Sequence, residues 1–294
     1  MVKDKGGESS VASTTFSTWF EQGAAPTMAK PVESNVYLVG AGPGDPELLT
    51  LKALRLIREA DVIVYDRLVS TSILEMIPPG TGRIFVGKES GCHPVPQSDI
   101  NELLVQLARV HQKVVRLKGG DPTIFGRGCE EGEYLVSRGI GFEIVPGITA
   151  ASGCAAVAGV PLTHRAAASG VRFVTGHRLE GRSLDLNWQS LADPDTTLVV
   201  YMGLAQLGEI ASRLIEAGLP GTTPAIAISK GTTAGQDFCR ATLADLPHQV
   251  SAAGLPSPTL IIIGKVVAIS DRLRETSEAN DFWPTVLDAE AGYA

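Results

Sequence analysis

Three times in its first half the chain passes from a short apolar run into a loop of glycine, proline and polar residues, and then into a helical pattern. Val36-Tyr37-Leu38-Val39 leads into Gly40-Ala41-Gly42-Pro43-Gly44-Asp45-Pro46. Val114-Val115-Arg116-Leu117 leads into Gly119 to Gly128, and Phe142-Glu143-Ile144-Val145 into Pro146-Gly147-Ile148-Thr149. Strand, loop and helix in succession are the units of an open α/β sheet, in which ligands bind beyond the carboxyl ends of the strands. The three loops are therefore expected to converge on one site. The middle loop carries Asp121, then Pro122, then Arg127 held between two glycines, so opposite charges flank a backbone that a ligand can approach closely.

The rest of the pattern fills in the same class. Apolar residues at Leu48, Leu51, Leu54 and Ile57 predict a helix from about Glu47 to Ala60, and Val62-Ile63-Val64-Tyr65-Asp66 a strand ending in an acid. Phe85-Val86-Gly87-Lys88 reads as a short strand breaking into a polar loop, and Ser98 or Asp99 as the cap of a helix through Leu107. Gly159 to Arg165 reads as the crossing between two domains. Beyond it, strands are expected at Val171 to Thr175, Thr197 to Met202, Ala225 to Ile228 and Thr259 to Ile263, with helices around Gln206 to Ala217 and Leu243 to Val250. The expectation is a leader over 1–34, α/β domains over 35–158 and 159–274, and a peripheral tail over 275–294.

A chain of 294 residues with 44% apolar composition can bury cores of this size. Its net charge of −7, without a basic block, argues against a nucleic-acid partner. No apolar run approaches the roughly 20 residues needed to span a bilayer, so no membrane partner is expected. Cys92, Cys129, Cys154 and Cys239 lack Cys-x-x-Cys spacing, as in reduced cytoplasmic proteins. His93, His111, His177 and His248 have no metal-binding spacing, and no metal is expected.

The order strand, glycine loop, helix, strand, Asp66 invites a dinucleotide-binding reading, with Asp66 on a ribose. Asp45 argues against it, because a carboxylate stands where a pyrophosphate would lie, and Pro43 removes a backbone N–H from the cradle. The loop suits a ligand without phosphates, such as S-adenosylmethionine, whose sulfonium acidic and carbonyl-rich loops can solvate. Asp66 itself reads equally as a turn acid, and Lys88 as a solvated surface lysine or a charge presented to a site.

Taken in order, Val39 to Thr50, Gly119 to Glu131, Val145 to Ala150, Pro161-Leu162-Thr163-His164-Arg165 and Val174-Thr175-Gly176-His177 resemble the tetrapyrrole methylases over about Asn35 to Ile269. Tyr65-Asp66-Arg67-Leu68-Val69 and Pro161 to Arg165 are most similar to the uroporphyrinogen-III C-methyltransferases of that family. The resemblance implies two α/β domains with the cofactor cleft between them, in a homodimer. The fused siroheme synthases carry a dehydrogenase and chelatase module before this domain, which 1–34 is too short to hold, so a methyltransferase alone is expected.

The resemblance further implies transfer of two methyl groups from S-adenosylmethionine to C2 and C7 of uroporphyrinogen III, giving precorrin-2 and S-adenosylhomocysteine. It places Pro43, Gly119, Gly120, Asp121, Ile124, Thr149, Ala150, Met202 and Gly231 at the cofactor. An acceptor bearing eight carboxylates calls for arginine forks. Arg127 and Arg165 are the expected clamps, with Glu130, His164 and Met202 beside them. Asp66 is the implied proton acceptor, Lys88 the implied proton donor, and Arg127 a group essential to turnover. The other readings are a methylase of a later precorrin, a dinucleotide-dependent oxidoreductase, and a tetrapyrrole carrier without turnover.

Overall fold

The central strands are short apolar, largely β-branched runs that are buried on both faces. The computed structural model describes residues 35–87, 95–177 and 184–270. The first sheet holds β1 (Val36–Gly40), β2 (Val62–Tyr65), β3 (Gly82–Phe85), β4 (Val114–Lys118) and β5 (Phe142–Val145), joined through α1 (Leu51–Glu59), α2 (Thr71–Glu75), α3 (Gln97–Val110) and α4 (Gly128–Ser137). All its pairs are parallel, in the order β3-β2-β4-β1-β5. Side chains alternate between two covering layers. Val39, Ile63, Val115 and Leu117 pack with Leu56 and Ile57 of α1, whereas Leu38, Val64 and Val114 pack with Leu104 of α3 and Leu135 of α4.

This strand order positions the site. The chain leaves β1 for β2 across β4, and leaves β4 for β5 across β1. The loops after these two adjacent strands thus depart in opposite directions, which opens a crevice at their carboxyl ends.

The second sheet contains β6 (Gly170–Thr175), β7 (Thr196–Tyr201), β8 (Pro224–Ser229), β9 (Asp237–Thr242) and β10 (Thr259–Ile263) in the order β6-β7-β10-β8-β9. β6 and β7 pair in parallel and the other pairs are antiparallel. On one face Leu198, Val200, Ala227 and Ile261 meet Ile210 and Leu214 of α7 (Leu207–Glu216) and Val250 of α8 (Leu246–Ala253). The other face receives α5 (Ala150–Val157), which follows the first sheet in sequence. Its Ala151, Cys154 and Ala155 lie against Val199, Ile226, Ile228 and Ile262. Small side chains let this helix sit close on the strands, so it joins the two sheets. A short helix, α6 (Trp188–Leu191), precedes β7.

Several details differ from the sequence expectations. The expected helix from Glu47 divides into a 3-10 turn, Pro46–Leu48, and α1, because the Thr50 hydroxyl accepts from Ala53 N–H at 3.1 Å and starts the helix there. α3 begins at Gln97 after Pro96 with no side-chain cap, and the Ser98 hydroxyl donates to Asp99 instead. β9 had no sequence signal, because Arg240 and the edge position break its apolar alternation.

Candidate active site

The three glycine loops lock together at the crevice. Gly42 N–H donates to Gly120 O at 3.1 Å, and Gly120 N–H to Gly42 O at 2.7 Å, bridging the loops after β1 and β4. Asp121 ties in the third loop, since its Oδ2 accepts from Gly147 N–H at 3.1 Å while Oδ1 accepts from Thr123 N–H at 2.8 Å. A Cβ on Gly40 would lie 2.6 Å from both Gly120 O and Gly147 N. Only glycine permits this approach of three backbones.

Over this knot opens a cavity of about 550 Å³. Pro43, Gly119, Gly120, Asp121 and Ile124 line it from the loops after β1 and β4, Thr149 and Ala150 from the start of α5, and Met202 and Gly231 from the loops after β7 and β8. Its walls here are backbone, small residues and apolar side chains, including Ile228 and Leu260. Gly120 has φ +72°, and a Cβ there would find only Ala150 N within 4 Å, at 3.8 Å. The glycine leaves room beside exposed backbone, and volume and lining suit a nucleoside bearing an amino-acid tail.

Backbone strain gathers at the same place. Among the described residues, left-handed φ at non-glycine positions occurs at Phe125, Arg127, Met202, Lys230 and Thr232, of which the first four line the cavity. Each costs on the order of 1–3 kcal/mol and persists only where surrounding structure enforces it, a pattern typical of functional sites. Part of that enforcement comes from Tyr201, whose hydroxyl lies 2.6 Å from Thr149 Oγ1 and accepts from Ala151 N–H at 3.0 Å. Its ring stands 4.9 Å from that of Phe125, joining the β4 loop to the second sheet. Burial pushes the Tyr201 phenol above its ordinary pKa, so it remains a neutral hydrogen-bonding group.

The opposite wall is charged. Arg116 Nη2 donates to Asp66 Oδ2 at 3.2 Å and Arg116 Nε to Glu131 Oε1 at 3.3 Å, while Lys118 Nζ donates to both Glu131 oxygens at 2.8 and 2.9 Å. Side chains of Arg116, Lys118 and Glu131 are 4%, 5% and 0% exposed. Burial and the neighbouring Arg116 guanidinium hold the Lys118 ammonium below its ordinary pKa. Removing one partner of such a cluster costs several kcal/mol because a buried charge is left behind. Asp66, Arg116 and Lys118 line the cavity.

Sequence reasoning missed Arg116, Lys118 and Glu131. A signal was present: two cations spaced by two in an otherwise apolar strand share one face at its carboxyl end. Asp66 is a turn acid, its Oδ1 accepting from Leu68 N–H at 3.0 Å, and it also lines the cavity.

Arg127 lines the cavity and grips Glu130 with Nη2 to Oε2 at 2.6 Å, both side chains being 54% exposed. That hydrogen bond pulls the Glu130 carboxyl below its ordinary pKa. An exposed pair of this kind is worth little, so the fork is free to exchange partners. Glu130, His164 and Arg165 are not part of the cavity wall. His164 and Arg165 are exposed in the turn before β6, where His164 Nδ1 accepts from Ala166 N–H. Lys88 lies outside the described residues. Among the described residues no group of three His, Cys, Asp or Glu is placed to hold a metal ion, and no helix is long and apolar enough to cross a membrane.

Comparison with known proteins identifies the family. The family model described as Tetrapyrrole (Corrin/Porphyrin) Methylases matches residues 35–247. A siroheme synthase of Methylococcus capsulatus is 56% identical over 250 residues, 85% of this chain and 53% of that one. The chloroplastic S-adenosyl-L-methionine-dependent uroporphyrinogen III methyltransferase of Arabidopsis thaliana is 54% identical over 237 residues, 80% of this chain and 64% of that one. The chain thus spans about half the length of the siroheme synthases that it matches. The uroporphyrin-III C-methyl transferase of Thermus thermophilus, solved with S-adenyl homocysteine, superposes with a TM-score of 0.70 at 40% identity, over 80% of this chain and 94% of that one. A cobalt precorrin-4 methyltransferase superposes equally, at 0.70, with 28% identity over 79% of this chain and 95% of that one. With the family model matched over residues 35–247, the chain belongs to the tetrapyrrole (corrin/porphyrin) methylases.

Proposed function

We propose that the chain is an S-adenosylmethionine-dependent methyltransferase acting on uroporphyrinogen III at two ring carbons, giving precorrin-2 and S-adenosylhomocysteine. The observation that carries this reading is the division of one cavity between a backbone-lined, apolar end and a wall bearing Arg116, Lys118, Asp66 and Arg127. The first suits a nucleoside and the second an acidic macrocycle.

S-adenosylmethionine supplies, when bound, a methyl group on a cationic sulfonium. The pyrrole carbons of the reduced macrocycle are electron-rich, so the protein's task is to hold carbon, methyl and sulfur in line. Gly119, Gly120, Thr149, Ala150 and Gly231 enclose the adenosine, Pro43, Ile124 and Met202 supply apolar contact, and Asp121 faces the polar end. Arg127 exchanges Glu130 for a carboxylate of the acceptor and orients it, since a guanidinium that stays protonated is a poor proton shuttle. Asp66, steadied by Arg116, takes the one proton that each methyl transfer releases from the alkylated ring, and Lys88 is the proton donor implied by the resemblance, any proton it gives being balanced by a second one lost from the macrocycle. Glu130, His164 and Arg165 would meet the periphery of a macrocycle that extends beyond the cavity.

A homodimer belongs to this reading through the family resemblance, and a cytoplasmic location through the scattered cysteines. The product would serve siroheme, cobalamin or haem d1 synthesis. The superposition on a cobalt precorrin-4 methyltransferase favours, as a second reading, a later precorrin as acceptor, distinguished by product mass and absorption. Calorimetry tests the donor side. S-adenosylhomocysteine should bind with a micromolar-range constant while NAD gives no heat, and the reverse result would transfer the site to the oxidoreductases.

A further inference from the structure

The charged wall holds a group with unspent hydrogen-bonding capacity. Arg116 commits its donors to Glu131, Asp66 and the Val64 and Leu117 carbonyls. Glu131 is fully buried and receives Arg116 Nε, Lys118 Nζ and the Gln97 amide, the last at 3.1 Å. Lys118 gives two N–H groups to the two oxygens of that carboxylate, and among the described residues its third has no acceptor. The Lys118 side chain is 5% exposed and is one of the residues that line the cavity.

A buried donor without an acceptor is costly, and the cavity is where an acceptor can arrive. Charge selects its kind. Arg67, Arg116, Lys118, Arg127 and Lys230 line the cavity against the two carboxylates of Asp66 and Asp121. Of these cations Lys118 is rigidly held, since both oxygens of the buried Glu131 carboxylate hold its Nζ. It sits at the carboxyl end of β4, one residue before the glycine pair, between the Asp66 wall and the backbone-lined end. Burial and Arg116 depress its affinity for a proton, and an arriving anion would offset both.

We propose that Lys118, held by Glu131, is a substrate-contacting residue that receives one carboxylate of the acidic macrocycle and so contributes to selection for a polycarboxylate acceptor. The proposal rests on the tetrapyrrole reading above. No bond is made or broken in this role, and the residue contributes orientation and affinity.

The test replaces the ammonium and its counter-ion together, as Lys118→Met with Glu131→Gln, so that no unpaired buried charge remains. Affinity for an octacarboxylate porphyrin, the stable oxidised form of the acceptor class, is read by fluorescence titration, with S-adenosylhomocysteine calorimetry as a control. The double variant should bind the porphyrin on the order of ten- to a hundred-fold more weakly than the wild type, with unchanged cofactor affinity. In turnover the loss should fall on KM rather than kcat. Lys118→Arg alone, which keeps a cation beside Glu131, should recover most of the affinity. Equal porphyrin affinity in wild type and double variant, or a loss confined to kcat, would overturn the assignment while leaving the tetrapyrrole reading intact. Wild-type protein that binds S-adenosylhomocysteine but no porphyrin would overturn both.

Discussion

Gly40→Ala should unlatch the backbone-lined end of the cavity, the proposed cofactor site. The added methyl would lie 2.6 Å from Gly120 O and Gly147 N and 2.7 Å from Gly147 Cα, all of them backbone atoms that no rotamer change can move aside. Forcing a methyl into packed structure costs typically 1–3 kcal/mol, and here more, because relief requires parting loops that hydrogen bonds and Asp121 hold together. If about 3 kcal/mol of that distortion falls on the bound state, affinity for S-adenosylhomocysteine drops on the order of 100-fold. Calorimetry and urea melts on the same variant measure both parts. Gly208→Ala provides the control, because nothing lies within 4 Å of that position in the first turn of α7. It should leave cofactor binding alone and be neutral or stabilising by up to about 1 kcal/mol.

Asp66→Asn should separate turnover from binding. The amide retains the shape of the carboxylate and can still accept the Leu68 N–H, so the turn after β2 should persist. It removes the anion opposite Arg116, a partly buried ion pair whose loss costs about 1–3 kcal/mol in a melt. Removing a group that accepts a proton in the reaction lowers kcat by about 10²–10⁴-fold. Cofactor affinity should stay within a few-fold of wild type, since the backbone-lined end of the cavity, where the nucleoside is proposed to sit, is built from other residues. Retention of kcat would reduce Asp66 to its role as a turn acid and pass the proton to another group.

Much of this arrangement was legible because it rests on backbone chemistry. Glycine and proline after apolar runs signal strand-to-loop junctions, and parallel strands must bring such junctions to one edge, so the convergence of the loops after β1, β4 and β5 followed from Gly40, Gly120 and Gly147. What stayed hidden depends on pairing across distance. Arg116, Lys118 and Glu131 read as two strand residues and a helix residue until β4 and α4 are packed together, because a buried charge is recognisable only beside its partner. Tyr201 likewise acquires its role only when the second sheet brings it to Thr149 and Ala151, residues 52 and 50 positions away. The left-handed Met202 and Phe125 carry no composition signal at all, since strain of this kind is imposed by neighbours rather than by residue type.

One incubation tests the proposed activity most directly. Folded protein, shown by calorimetry to bind S-adenosylhomocysteine, is mixed anaerobically with uroporphyrinogen III and S-adenosylmethionine labelled in its methyl group. Two labelled methyl groups per macrocycle, attached to ring carbon, are the predicted result. A tetrapyrrole that emerges without label from cofactor-competent protein would contradict it.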